Sequence, residues 1–565
     1  MDNKTFEIGL VGAGAVSAGA YTAGVIDFMV YALDQWYDAK GKNGQAPPHD
    51  VKISVFSGAS AGGITAALTA GYLGSDQPSV TDDEHGRANN GQNKLFDSWV
   101  DRIDISSLLE SRDLSDKESP VVSLLDSSVL LEIAYSGLDV APRKTRRPYV
   151  AENFELLLAV TNLRGAPYAF KIDSDHATNY NMSLHADYVR FRLSDSESVA
   201  LPDCWVMNWN DLGKASPVKE QLKLSALASG ALPFGLAPRT LSHLTPGNNL
   251  QDWYSTRTWP VHTPDGHPHQ CVSSDNGTAT WDELNAKYQF NYQCIDGGIM
   301  NNEPLGLATH ALAGTNGEVD KMDKFAHKAV LLIDPFPNKA TLDADYSEAP
   351  DLLKTAISLF SALKNQARLR PDELILAAQS DAYSRFMIAP SRDGAPYPIA
   401  SAALGGFGGF LKRDFRSHDY FLGRRNAQKF LLDHFVLPEN DPLFAGWIDK
   451  SMRDAFCVRQ SDGQPKLEKG QRLLPIVPLV GEAKSTPCYQ AEWPLFTLED
   501  LAQLIERIES RVDVVIDRLV DQYFKSNNMF VRLVAKIVLG QKKKDMVNFA
   551  QAKVISDLKK MNLMR

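Results

Sequence analysis

Three short stretches carry residue types able to cleave an ester. Gly58-Ala59-Ser60-Ala61-Gly62 sets one serine among small residues at the end of an apolar run, VKISVF. A strand that reverses into a helix at such a pentapeptide holds its central side chain clear of the backbone on a strained turn, the geometry of a nucleophile elbow. The following helix directs its first amides and the positive end of its dipole toward that hydroxyl. Upstream, GLVGAGAVSAGAYTAGV (9–25) runs from a strand into a glycine- and alanine-rich turn, leaving the N–H groups of Gly14, Ala15 and Val16 as candidate donors to an oxyanion. Downstream, Cys294-Ile295-Asp296-Gly297-Gly298 puts a carboxylate at the end of a short run, where glycines permit a sharp turn. A serine nucleophile needs a base and donors for the charge of its tetrahedral intermediate, and these three segments hold one of each.

Such residues converge only if the elements around them form a layered α/β core. The first segment reads as strand (Phe6 to Val11), glycine-rich turn, helix (Ala20 to Trp36), polar loop, strand (Val51 to Phe56), tight turn and helix (Gly62 to Gly71). FELLLAVTNLRG (154–165) and KAVLLIDPF (328–336) are short, apolar and bounded by turns, as buried strands are. Residues from about 239 to 290 are irregular and rich in Trp, Pro, Asn and Asp, which marks an insertion. Beyond Pro337 the pattern is mainly helical: Leu352 to Leu369, Pro371 to Tyr383, Arg424 to Phe435 and Leu498 to Phe524. Thr497 and Asp500 open the last of these as a capping box does. The expected fold is a three-layer α/β/α domain over 1–340 with a central, mostly parallel sheet, followed by a mainly helical region over 341–565.

Bulk properties narrow the setting. An apolar share of 44% and a charged share of 23% describe an ordinary globular chain. No basic leader precedes the first strand, and no run reaches about 18 uninterrupted apolar residues, so neither a secretory signal nor a membrane span is expected. Five scattered cysteines (Cys204, Cys271, Cys294, Cys457, Cys488) fit reduced thiols in a cytoplasmic setting. HPHQC (267–271) matches no metal-site spacing, so no metal is expected. The net charge of −10 is uneven: Lys525 to Arg565 carries ten Lys or Arg against two Asp, a basic tail on an acidic body.

The order of the three motifs resembles the patatin-like phospholipase family of lipid acyl hydrolases: a glycine turn at the N-terminus, G-x-S-x-G about forty residues later, then D-G-G after a long gap. ALASGALPFGLAP (226–238) is similar to that family's A-S-x-A-x-P segment, and LLLAVTNLRGAPYAF (156–170) to its central strand; the likeness covers roughly 5–340. The resemblance implies the α/β fold and a Ser-Asp dyad without histidine, with Ser60 as nucleophile and Asp296 as base. It also implies no cofactor, no nucleic acid, and a phospholipid or other acyl-ester lipid as substrate. A carboxylate of ordinary pKa, about 4, is a weak base for a hydroxyl, so burial or a direct hydrogen bond must assist it. In the glycine turn, Ala15 and Val16 stand where the family has glycines, and Ala18 where it has a basic residue. Val16, being β-branched, is expected to avoid the positive φ that glycine permits.

Several alternatives stand beside this reading. A Ser…Asp…His triad would use Asp334 with His418 or His434. A binding protein on the same scaffold would have lost catalysis with the altered turn. Nucleotide binding lacks both a G-x-G-x-x-G spacing and a P-loop lysine. MFVRLVAKIVLGQKKK (529–544) has the apolar spacing and terminal lysines of a helix that lies peripherally on an anionic bilayer, or that packs on its own domain with its lysines solvated. Phe407 and Phe410 in LGGFGGFLKRDF are candidates for a lid or membrane wedge, or for burial beneath a loop. Arg416, His418, Arg424, Arg425 and Lys429 would meet lipid phosphate or form helix-surface salt bridges.

Overall fold

The computed structural model describes residues 5–43, 46–80, 92–116, 118–172, 178–196, 203–242, 291–313, 327–337, 384–392, 394–485, 492–523 and 529–565, with the single residues 362, 366 and 368. The expected helices over 352–369 and 371–383, HPHQC, Cys271, Cys488 and nearly all of the 239–290 insertion lie outside these residues.

Alternation of side chains along β1 (Thr5–Gly12) shows how the layers arise. Phe6, Ile8 and Leu10 face one apolar cluster, built with helices α1 (Gly19–Asn43) and α2 (Ala61–Leu73). Val11 faces the opposite cluster, with Val55, Leu157 and the later helix residues Leu305, Ala308 and Leu312. Helices thus cover both faces, and the fold is a three-layer α/β/α sandwich as expected. In chain order the remaining principal elements are β2 (Asp50–Ala59), α3 (Ser128–Leu138), β3 (Val150–Ile172), β4 (Thr178–Ser194), β5 (Cys204–Asn208), α4 (Pro217–Ser229), β6 (Arg239–Ser242) and β7 (Asn291–Asp296). They continue with α5 (Leu305–Ala313), β8 (Lys328–Ile333), β9 (Arg385–Ile388), α6 (Arg413–Asp433), α7 (Leu498–Tyr523) and α8 (Met529–Lys560). The sheet order is β5-β4-β3-β2-β1-β8-β9, with β7 on β3 and β6 on β7. Most pairs are parallel; β3 with β4, β3 with β7 and β6 with β7 are antiparallel.

Three features depart from the sequence reading. β3 reaches Ile172 because β4 pairs with it along most of its length, beyond where its apolar run ends. The core does not stop at 340: β9 extends the main sheet beside β8, and α6 packs along α1 in the same apolar cluster. That helix begins at Arg413, eleven residues before its expected start, since Phe415, Tyr420 and Phe421 are buried although polar residues separate them. By length and composition α1 is apolar enough to cross a bilayer, yet it lies buried between the sheet and α6. The two helices cross at bare backbone, because a methyl group on Gly24 would lie 1.9 Å from the Tyr420 carbonyl oxygen.

The Thr497–Asp500 capping box is formed: Thr497 N–H donates to Asp500 Oδ2 at 2.8 Å and Asp500 N–H to Thr497 Oγ1 at 3.1 Å. α8 runs against α7, and its Val554 and Leu558 join Leu501, Leu504, Phe415 and Phe496 in a second core. At this helix Lys543 pairs with Asp513 of α7; the side chains of 529–541, most of the expected bilayer-facing set, lie outside the described residues.

One buried group makes the core sensitive to acid. His49 donates from Nε2 to the Ile476 carbonyl at 2.8 Å and accepts the Trp447 indole N–H on Nδ1 at 3.0 Å, so both ring nitrogens are satisfied only in the neutral form. Burial pushes its pKa down to about 4. With the folded value below the unfolded one, this stabilisation is complete above about pH 6.5 and is lost as pH falls toward 4, by about 3 kcal/mol in all. Denaturation midpoints followed from pH 7 to 4.5 should fall less steeply for His49→Gln than for the wild type.

Candidate active site

The site is assembled by the ladder of β3. β2 runs parallel to β3 as far as Ala59, opposite Ala159; the next residue, Val160, pairs with Asp296 at the end of antiparallel β7. β2 and β7 therefore approach head-on along one flank of β3, and their C-terminal ends meet. Ser60 follows the one and Asp296 ends the other. Ser60 Oγ donates to Asp296 Oδ2 at 2.6 Å, while the Gly298 N–H donates to Oδ1 at 2.7 Å. Both residues are buried, Ser60 at 7% and Asp296 at 4% exposure.

The serine stands on a strained turn. Its φ of 54° and ψ of −126° belong to a region that side chains rarely occupy. Small neighbours permit this, for a methyl group on Gly62 would lie 2.1 Å from the Gly12 carbonyl oxygen. Ser229, to which the sequence reading assigned no role, holds the turn. Its Oγ accepts the Ser60 N–H at 3.0 Å and donates to the Ala159 carbonyl at 2.7 Å. Two residues on, the Ala231 carbonyl accepts the Asp296 N–H at 2.9 Å, and Thr161 Oγ1 donates to the Asp296 carbonyl at 2.8 Å. The signal for Ser229 was the A-S-G-A run itself, which fastens nucleophile and acid to one segment.

The glycine turn corrects two expectations. The Gly14 N–H donates to the Asn302 carbonyl at 3.0 Å, so Gly14 is not an oxyanion donor. Among the described residues no hydrogen bond engages the amides of Ala15 and Val16. Val16 does adopt positive φ, 51°, despite its β-branch. Segments from far along the chain close on this turn: a methyl group on Gly406 would lie 3.3 Å from Val16 Cβ and Cγ2, and Ser17 Oγ accepts the Gly409 N–H at 2.9 Å and donates to the Gly406 carbonyl.

Val16, Ser60 and Asp296 line one pocket whose other walls are mostly apolar, among them Trp99, Leu130, Leu232 and Leu236. Phe407 and Phe410 are walls of this cavity, half-buried and buried, rather than an exposed wedge. A second apolar pocket adjoins the first, sharing the walls Ile64, Trp99, Ile103, Leu130 and Leu227, and is lined further by Ala67, Ala134 and Leu138. Trp99 sits on a π-helical turn, Asp97–Arg102, and its buried indole N–H has no partner among the described residues.

The alternative triad is not assembled here. Among the described residues no histidine lines the cavity. His418 Nδ1 lies 2.8 Å from Asp419 Oδ1, His434 is exposed, and Asp334 accepts from the Phe336 N–H and from Arg368. The basic cluster of α6 is partly interior: Arg416 donates to the Val100 and Gly409 carbonyls and pairs with Asp104, and Arg424 pairs with buried Asp27.

Fold and site together define an α/β protein with a buried hydroxyl–carboxylate pair at the C-terminal ends of its strands. The chain belongs to the family of the uncharacterized protein y4iI of Sinorhizobium fredii, with which it is 32% identical over 600 aligned positions, spanning 98% of this chain and 81% of that protein. No family model matches the chain. Among solved structures, VipD from Legionella pneumophila aligns over 98% of this chain and 87% of its own at 12% identity, with a TM-score of 0.19, too low to carry an argument about fold or chemistry.

Proposed function

We propose that this protein is a serine acyl hydrolase acting on long-chain lipid esters, with Ser60 as nucleophile and Asp296 as general base. The observation that carries this reading is the 2.6 Å hydrogen bond from Ser60 Oγ to Asp296 Oδ2 within an apolar cavity. Asp296 Oδ2 takes the hydroxyl proton as Oγ adds to the ester carbonyl. The amides of Ala15 and Val16 and the first turn of α2 receive the charge that develops on the carbonyl oxygen. Collapse of the intermediate breaks the bond to the alcohol oxygen, and the proton on Asp296 leaves with that alcohol. Water then attacks the acyl-Ser60 ester, Asp296 removes a water proton, and the second collapse returns that proton to Ser60 Oγ and frees the fatty acid. Phospholipid is the expected substrate class, met at a membrane surface by a chain that otherwise resides in the cytoplasm.

The test is labelling by a fluorophosphonate probe, followed by incubation with mixed phospholipids and mass spectrometry of the released fatty acids and lysolipids. Labelling that maps to Ser60, with fatty acid release, is expected. A folded chain that neither labels nor releases fatty acid would sink the reading in favour of a binding role. The adjoining second pocket is the space into which a longer acyl chain would extend. Ala134→Leu should fill its far end and lower turnover of a hexadecanoyl ester relative to a hexanoyl ester by about tenfold, each methylene removed from apolar contact being worth about 0.8 kcal/mol.

A further inference from the structure

Two segments that wall the catalytic cavity also present bare apolar side chains outward. Leu125, Leu232 and Leu236 line the cavity, while Leu124 is 55% exposed, Val122 52% and Phe234 80%. The segments are bonded to each other: Leu124 N–H donates to the Phe234 carbonyl at 2.8 Å and Leu125 N–H to the Gly235 carbonyl at 3.0 Å. Phe234 has φ of 63°, a conformation unusual for a bulky residue, so its outward position is maintained by the surrounding structure. α7 braces the patch from behind, with Arg511 donating to the Leu124 carbonyl at 2.9 Å while it pairs with Asp113. A rigid apolar rim continuous with an apolar, ester-cleaving cavity has one fitting occupant, the hydrocarbon of an aggregated lipid.

We propose that Phe234, Leu124 and Val122 form the surface by which the protein seats on a lipid bilayer, delivering an acyl chain from the bilayer into the cavity. This rests on the lipid acyl hydrolase reading given above. The chemistry of docking is apolar rather than electrostatic: between Ser107 and Leu125 the chain carries Glu110, Asp113, Asp116 and Glu118 against Arg112 and Lys117. Attachment is thus assigned to zwitterionic lipid and to this face, with no need of the basic tail.

The test uses the full chain with Ser60→Ala, which leaves vesicles intact, and flotation with phosphatidylcholine vesicles. Phe234→Ser with Leu124→Ser should weaken vesicle binding by about tenfold or more, since each side chain withdraws apolar area of that order of value. Binding of the parent should change little when salt is raised or anionic lipid is added. On the Ser60 background, the same pair of substitutions should leave hydrolysis of a soluble short-chain nitrophenyl ester unchanged while lowering hydrolysis of vesicle lipid. Vesicle binding unchanged by the substitutions overturns the proposal. So does binding that requires anionic lipid and vanishes in salt, or sedimentation showing the patch covered by a second copy of the chain. Absence of soluble-ester hydrolysis by the parent would instead overturn the catalytic reading, with flotation still reporting on docking. Should the double variant fail to fold, Val122→Ser is expected to weaken binding and Phe234→Leu to retain it.

Discussion

Ser60→Ala is expected to lower ester cleavage by at least about a thousandfold, and Asp296→Asn to do nearly the same, with the double variant no worse than either single one. The three results follow from the pair acting as a unit. Without Oγ no acyl-enzyme forms, and the remaining amide donors and apolar walls only bind substrate. Asn at 296 keeps an oxygen for the Gly298 N–H but offers Ser60 an amide in place of a carboxylate, so the hydroxyl proton has no acceptor of useful basicity. Neither change alters the ladder that places residues 60 and 296, so denaturation midpoints should stay near the parent value. Progress curves on a soluble ester, with thermal melts of the same samples, check both halves. Independent, additive losses would mean that the two side chains serve separate purposes.

Arg424→Ala is expected to cost about 3–5 kcal/mol of stability, the usual result of stripping the partner from a buried carboxylate. Asp27 is fully buried on α1 and pairs with Arg424 on α6; it also accepts from Tyr72 Oη, Asn93 Nδ2 and the Val80 N–H. Those neutral donors remain in the variant, but the compensating charge does not. Asp27→Asn should cost a comparable amount, because it leaves the equally buried guanidinium without its anion. Urea denaturation of the three proteins, followed by circular dichroism, gives the comparison.

The hydroxyl and the carboxylate were legible because both stand on turns that demand small residues over a few positions, and such demands are written locally. G-x-S-x-G and D-G-G are steric statements about backbone approach. The left-handed conformation of Val16 was not legible: local propensity argues against it, and the residues that close on its turn, Gly406 and Gly409, come from far along the chain. The same holds for Ser229, whose partners at Ser60 and Ala159 are set by the sheet, and for the loss of the Gly14 amide to Asn302. The first turns of α6 are not legible, because a helix buried on several sides breaks the single-face periodicity that reveals surface helices. Phe407 and Phe410 were recognised as paired aromatics near glycines, yet whether they faced solvent or substrate depended on packing alone.

The collision of two strand ends on one flank of β3 has a corollary for chain length. Spacing of the reactive pair is a property of backbone register along β3, not of the length of chain between β6 and β7. A change of length in that intervening stretch therefore need not part the hydroxyl from its acid.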